Sequence, residues 1–151
     1  THVSGWWARD GLLKTSGAGY YLHVSGKEVV IAFGVYMPDA EQLLAIRRYL
    51  LEHHQEYRRL DASRTLRRLF PESEDGSPLS RSPKGFPAEH AGLDLIRQRR
   101  WGRSATLGSE AVTKSEFAKL VASYYRAAAP LVDLLNRPLV TSAEKRRRPL
   151  F

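Results

Sequence analysis

The chain has 151 residues, of which 42% are hydrophobic and 26% are charged, and its formal net charge is +8. This length is enough for one domain with one core. The absence of cysteine excludes a disulfide framework, a thiolate metal site and a cysteine nucleophile. No apolar run approaches the roughly 18 residues of a membrane span, and a cysteine-free chain is compatible with the reducing cytoplasm, where we expect the protein to be located.

The basic balance permits an anionic partner, such as nucleic acid, a phosphate-bearing small molecule or an acidic protein. The alternative is compositional, because an arginine-rich sequence carries surplus charge without a dedicated partner. Part of the surplus lies in residues 137–151, which we interpret as a basic C-terminal tail.

The first 18 residues contain two adjacent tryptophans, Trp6 and Trp7, in a segment that is compatible with a short strand and a loop. Neighbouring side chains alternate along a strand, so the two indoles cannot face the same side. We expect one indole to be buried and the other to cover an edge or a partner surface.

Residues 20–24 and 29–36 predict two strands joined by a tight turn, in which Gly26 is expected to adopt a positive φ. In the first strand, alternation places Tyr21 and His23 on one face. The second strand is apolar on both faces, which favours a central strand covered on both sides. Gly34 predicts a bulge or a close backbone approach.

Residues 39–60 give the clearest helix, opened by a capping-box pattern of Asp39 and Gln42. Residues 63–70 predict a short second helix, and residues 71–83 predict a loop. A further helix is expected from Pro87 to about residue 100, followed by a short strand over residues 100–107.

Thr113 and Glu116 form a second capping-box pattern at the start of the last helix, which Pro130 is expected to kink or split. With the hairpin, these elements predict a single α+β domain over residues 1–136, in which helices pack on a mostly antiparallel sheet.

Arg81, Lys84 and Gly85 precede the helix predicted at Pro87. A helix N-terminus offers free N–H groups and partial positive charge, so this segment predicts an anion site. The alternative is a turn with Lys84 in solvent. A second cluster of Arg97, Arg99, Arg100 and Arg103 beside Trp101 resembles a phosphate-contacting patch. Solvated arginines at a helix end explain that cluster equally well.

His2 and His23 are candidates to ligate a metal or exchange protons if their strands are neighbours, with Tyr21 one pleat from His23. Two nitrogens without a carboxylate make an incomplete metal site, so hydrogen-bonded structural histidines are the alternative. His90 and Asp94 form either an oriented general base or a surface pair.

The sequence has no phosphate-binding glycine loop, no dinucleotide fingerprint, no nucleophile elbow and no zinc-protease motif. The adjacent His53 and His54 diverge on a helix, so they are a poor metal pair. We therefore predict neither a cofactor nor a metal.

Four segments occur together in this order: GYYLHV, GVYMPDAEQLLAIRRYL, RSPKGFPAEHAGLDLIRQRRW and YYRAAAPLVDLLN. In this combination the chain resembles the domain-of-unknown-function family 2461, over residues 1–136. The resemblance implies an α+β protein without an established activity. It singles out six motif positions that have no known role: His2, Tyr21, His23, Lys84, Gly85 and His90.

The resemblance also implies that a family region rich in Arg, Asp and Lys normally precedes this chain. We expect the sheet to lack a strand there, leaving an edge that a partner chain can fill.

Three functions are compatible with these patterns. The first is a binding module for an anionic ligand at Arg81 and Lys84. The second is an enzyme with His2, Tyr21 and His23 in a polar cleft on the sheet. The third is an interaction protein that associates, for example as a homodimer, through a sheet edge.

Overall fold

The computed structural model describes residues 1–9, 12 and 17–147, with side chains as far as residue 140. Its centre is a five-stranded sheet in the order β1-β2-β3-β5-β4, in which every neighbouring pair is antiparallel. The strands are β1 (His2–Ala8), β2 (Gly19–Ser25), β3 (Glu28–Val35), β4 (Glu72–Ser73) and β5 (Trp101–Gly108).

The helices are α1 (Ala40–Asp61), α2 (Arg64–Leu69), α3 (Leu93–Ile96) and α4 (Phe117–Arg147), with a 3-10 turn at Ser109–Thr113. The predicted capping box of α1 is confirmed. Asp39 Oδ1 accepts from Gln42 N at 2.8 Å, and Gln42 Oε1 accepts from Asp39 N at 3.2 Å. This fold confirms the predicted single α+β domain with a mostly antiparallel sheet.

The predicted hairpin is present, but its turn does not use a left-handed glycine. Gly26 lies outside the positive-φ region that Gly17, Gly34, Gly76 and Gly85 occupy. Instead, Ser25 Oγ accepts from Lys27 N at 3.3 Å and from Glu28 N at 3.2 Å. The short hydroxyl side chain closes the turn, which is a common use of serine in loops.

One face of the sheet is covered by α1 and α4, and it holds the core. Val29, Ile31 and Phe33 of β3 are fully buried there, and the Phe33 ring meets Phe70 edge-to-face with centroids 5.0 Å apart. The expectation that β3 is central is confirmed, but the described helices cover only one of its faces. The other face, which no described helix covers, is the open face of the sheet and carries the candidate site.

Asn136 attaches α4 to the beginning of β2. Its Oδ1 accepts from Ala18 N at 2.8 Å, and its Nδ2 donates to Ala18 O at 3.0 Å. The amide thus pairs with the backbone as a neighbouring strand would. Both partners are buried, so these bonds satisfy groups that would be costly to leave unpaired.

The helix predicted from Pro87 to residue 100 is wrong. Only α3 forms, and the chain before it runs through turns. Gly85 has φ +86°, and the α-carbon of Gly92 packs so closely on α1 that an added Cβ would lie 2.9 Å from His54 Cβ. Two prolines and two glycines within residues 83–92 oppose a continuous helix.

The capping role predicted for Thr113 is also wrong, because its hydroxyl donates to Glu110 O within the 3-10 turn. α4 begins at Phe117 and continues through Pro130, which is exposed. Ala128 and Leu131 are buried on either side of that proline, so packing on the core holds the helix together where local preference would interrupt it.

α4 also passes residue 137, where the sequence predicts the start of a basic tail. The side chains of Lys145, Arg146, Arg147 and Arg148 lie outside the described residues. None of the helices in the described part of the chain is long and apolar enough to cross a bilayer.

Candidate functional site

The open face of the sheet is built by strand alternation. Registered partners face the same way, so Trp6 pairs with Tyr21, Tyr21 with Ala32, and Ala32 with Ser104 across four strands. The row therefore changes from two large aromatic residues on β1 and β2 to two small residues on β3 and β5. This change in side-chain size leaves a hollow above the centre of the sheet.

A row of glycines lies next to these residues on the same face. Gly19 pairs with Gly34, and Gly34 pairs with Gly102, so three neighbouring strands lack a side chain at one level. A Cβ on Gly34 would collide with the Trp101 carbonyl oxygen, and Gly34 itself has φ +141°. The predicted close backbone approach at Gly34 is thus confirmed, between β3 and β5.

The glycine row lets side chains from distant strands meet. The Trp6 indole lies across Gly19, where an added Cβ would be 2.9 Å from its Cζ2 atom. It reaches the ring of Tyr36, at the end of β3, with centroids 5.6 Å apart and planes at 81°. β1 and β3 are not neighbours in the sheet, so this contact depends on the missing side chain at Gly19.

These features form a cleft of about 380 Å³ on the open face. Its floor is small or apolar, and its walls are largely aromatic. The lining residues are Trp6, Tyr21, Val30, Ala32, Tyr36, Met37, Glu74 and Ser104. Met37 at the rim is 73% exposed, which is unusual for a large apolar side chain. The position, volume and lining are typical of a small-molecule site.

One end of the cleft is polar. Ser104 Oγ donates to Glu74 Oε1 at 2.9 Å, and Glu74 forms no ion pair within the described part of the chain. Burial raises the pKa of Tyr36, and the Glu74 carboxylate adds to this increase while Arg100 opposes it. Tyr36 therefore stays a neutral phenol, whose hydroxyl donates to Phe33 O at 3.3 Å.

The structure brings together three residues that the sequence singled out on this face. His2 and His23 have ring centroids 5.2 Å apart, and Tyr21 lines the cleft itself. Neither histidine lines the cleft. His2 is exposed and His23 is partly buried, and the two form a pair outside the cleft on the same face. Within the described residues, no group of three or more His, Asp or Glu side chains is placed to hold a metal ion.

The second predicted site is a loop cavity of about 510 Å³ that contains Arg81, Lys84 and Gly85 in its lining, together with Arg97. Arg81 and Lys84 are exposed, and Arg97 Nε donates to Leu79 O. The cavity brings Arg81 and Lys84 together with Arg97, which the sequence placed in a separate cluster. The helix N-terminus expected beside them is absent, and so are the backbone donors that it would supply.

The predicted pair of His90 and Asp94 does not form. His90 Nδ1 accepts from Gly92 N at 3.0 Å, and the His90 ring stands edge-on to His54 at 5.2 Å. Asp94 is held by Arg58 instead, whose hydrogen bond lowers the pKa of that carboxyl. His53 likewise stacks on Tyr49, with centroids 3.9 Å apart.

The predicted cluster of Arg97, Arg99, Arg100 and Arg103 does not form one surface patch. Arg103 is buried and its guanidinium donates to Phe70 O, Pro71 O and Asp61 Oδ1, which anchors the chain after α2 to β5. Arg99 and Arg100 are exposed. A phosphate-contacting patch made of all four arginines is therefore not assembled.

The family model for DUF2461, described as a conserved hypothetical protein, matches residues 1–134. The chain belongs to this family. No curated protein and no solved structure matches it significantly. The DUF2461 match includes every residue that lines the cleft and the loop cavity, so both lie within the family's domain.

The sequence suggested a polar cleft on the sheet with His2, Tyr21 and His23, whereas the cleft in the structure contains Tyr21 and neither histidine. Trp6, Tyr36, Glu74 and Ser104 come from four separate segments, and no linear spacing connects them. One signal in the sequence could have indicated the hollow. Ala32 and Gly34 on one strand, and Gly102 and Ser104 on another, are small residues at alternate positions, so they lie on one face of the sheet.

Proposed function

We propose that this DUF2461 protein is a binding domain for a small molecule, which lies in the open-face cleft between Trp6, Tyr36 and Glu74. The observation that carries the proposal is the change in side-chain size along one registered row, from aromatic to small, which leaves a hollow of about 380 Å³ in the middle of a continuous sheet. Protein interiors are close-packed with few voids, and concave, mostly apolar clefts of this volume are the usual form of a small-molecule site.

The test is a ligand-detected NMR screen with small aromatic fragments. The informative variant is Ala32→Leu, which fills the floor of the cleft from the central strand. We expect fragments that bind the native protein to be lost in this variant and retained in Lys84→Ala, whose substitution lies in the loop cavity. Fragment binding that is unchanged in Ala32→Leu, or absent from the native protein, would contradict the proposal.

A second candidate function is binding of an anionic ligand in the loop cavity. It is supported by the three cations that line one concave surface, Arg81, Lys84 and Arg97. The probes are inorganic phosphate, a nucleotide mixture and a short single-stranded oligonucleotide. Weaker binding in Lys84→Ala, with Ala32→Leu unchanged, is the expected result, and equal binding by native protein and Lys84→Ala would discard it.

Association through the sheet edge is a separate proposal, supported by the sequence of β1. This seven-residue edge strand has no proline, lysine, aspartate or glutamate to block pairing with another strand. Val3 is 72% exposed on it. We expect a concentration-dependent dimer in sedimentation velocity that Val3→Lys weakens, and a native monomer at all concentrations would contradict this. Catalysis by His2, Tyr21 and His23 stays a prediction.

A further inference from the structure

We propose that the ligand of the open-face cleft carries an alkylated ammonium group, held between the rings of Trp6, Tyr21 and Tyr36 and opposite the carboxylate of Glu74. This inference rests on the proposed function and names the ligand class of the same cleft.

Aromatic rings converge on the cleft from more than one direction. The planes of Trp6 and Tyr36 are nearly perpendicular, at 81°, and Tyr21 lies beside Trp6 in register on the next strand. All three line the same space. Two rings in edge-to-face contact form a corner, and a cation in that corner can lie against the ring faces that the contact leaves free, because the negative face of a ring attracts a cation.

Charge complementarity points to a cation rather than a neutral apolar group. Among the described residues, Glu74 is the only acidic side chain in the lining, and the lining contains no basic side chain. One of its oxygens accepts from Ser104, which fixes the orientation of the carboxylate. The formal net charge of the whole chain is +8, so a lone carboxylate in an aromatic cleft is a local exception.

The largely aromatic and aliphatic lining favours an alkylated ammonium over a bare one. A primary ammonium brings three N–H donors that need partners when water is removed. The lining offers Glu74, the Ser104 hydroxyl and two phenols, and the rest is Trp6, Met37 and aliphatic carbon. A quaternary ammonium has no N–H donor, so its methyl groups can lie against the rings while its charge faces Glu74.

Choline is the test probe, and its controls are ethanolamine, a primary amine, and dimethylbutanol, the uncharged carbon isostere of choline. Binding is measured by NMR titration. We expect choline to bind at least about tenfold more tightly than the isostere, which is the range of a desolvated cation–π contact.

Matched variants separate the cleft from the rest of the surface. Glu74→Gln removes the charge but keeps an oxygen for Ser104, and we expect it to weaken choline binding about tenfold and leave the isostere unaffected. Its control is Glu72→Gln, two residues earlier on β4 and outside the lining. Trp6→Leu should abolish binding, whereas Trp7→Leu, on the opposite face, should not.

Arg100 offers a further variant, because its positive charge lowers the pKa of Tyr36 while the Glu74 carboxylate raises it. We expect Arg100→Gln to tighten choline binding severalfold. Equal affinity for choline and its isostere would overturn the ammonium inference. The inference would also be overturned if choline does not bind while fragments bind in a way that Ala32→Leu abolishes. In both cases the small-molecule proposal stands. If neither choline nor any fragment binds, both proposals fail.

Discussion

The two faces of the sheet differ in how completely the space above them is filled by side chains. On the covered face, Val29, Ile31 and Phe33 are large, apolar and completely buried under α1 and α4. On the open face, the same strand presents Val30, Ala32 and Gly34, which become smaller toward the end of the strand. Both faces are apolar on β3, so hydrophobicity alone does not distinguish them.

The difference lies in what fills the space above each face. Above the covered face, helices and rings such as Phe70 reach full contact, so side-chain volume is fixed by packing. Above the open face, residues from the strand ends and loops surround a space that they do not fill. The covered face therefore stabilises the domain, and the open face is free to be shaped for a ligand.

The largest expected effect tests the glycine row. Gly34→Ala would force a side chain onto a residue with φ +141° and against the Trp101 carbonyl. We expect a loss of about 3 kcal/mol or more in the free energy of unfolding, from backbone strain and displacement of β5 together. Urea unfolding measures it.

The control for Gly34→Ala is Gly26→Ala, because nothing lies within 4 Å of a Cβ at Gly26. We expect this change to leave stability within about 1 kcal/mol of the native value, or slightly above it. Similar losses in the two variants would show that the close approach of β3 and β5 does not constrain the sheet.

A second prediction compares neighbouring valines on opposite faces. Val29 is fully buried on the covered face and Val30 is partly exposed at the cleft. Because a buried truncation loses transfer energy and leaves a cavity, we expect Val29→Ala to cost about 2–3 kcal/mol. Val30→Ala should cost less than about 1 kcal/mol. Thermal and urea unfolding compare the two, and equal costs would mean that the open face also carries the core.

The smallest effect concerns pH. Tyr125 packs its ring on Tyr20 with centroids 4.7 Å apart and donates to Tyr21 O at 3.0 Å. Burial, with a smaller contribution from Tyr20, raises the pKa of Tyr125 to about 12. The folded state thus holds this proton more firmly than the unfolded chain, whose tyrosines ionise near about 10.

The stability from Tyr125 is therefore complete below about pH 10 and is lost as the pH rises toward about 12. Tyrosinate absorbance and circular dichroism, followed together, measure the loss. We expect Tyr125→Phe to lose less free energy of unfolding than the native protein between these pH values. An identical alkaline profile for Tyr125→Phe would contradict a role for this phenol.

Local patterns predicted much of the fold. The hairpin, α1 with its Asp39–Gln42 cap, and β5 all follow from signals contained in a few neighbouring residues. The errors occur where distant contacts decide. Pro130 stays within α4 because Ala128 and Leu131 are packed in the core, and α3 is short because Gly92 must approach α1 closely. These two contacts are not visible before the elements are assembled, whereas the prolines and glycines of residues 83–92, which also oppose a longer helix, are visible in the sequence.

The candidate site was less predictable for the same reason. Strand alternation placed Tyr21 and His23 on one face, and Arg81, Lys84 and Gly85 do line one cavity. The cleft itself depends on strand order, because β5 is inserted between β3 and β4, and β4 forms the edge of the sheet. This order carries Glu74 to the same hollow as Trp6, which lies earlier in the chain by about half the length of the domain.

The row of Gly19, Gly34 and Gly102 has a consequence for how relatives of this protein can diverge. Backbone atoms of the adjoining strand obstruct any larger residue at Gly34 and Gly102, so that end of the hollow is not adjustable. Tyr36, Met37 and Glu74 stand where strands have already ended, and there a substitution disturbs no ladder. Under the proposed function, we therefore expect new ligand preferences to arise by exchange at these three rim positions, while the glycines of the floor are retained.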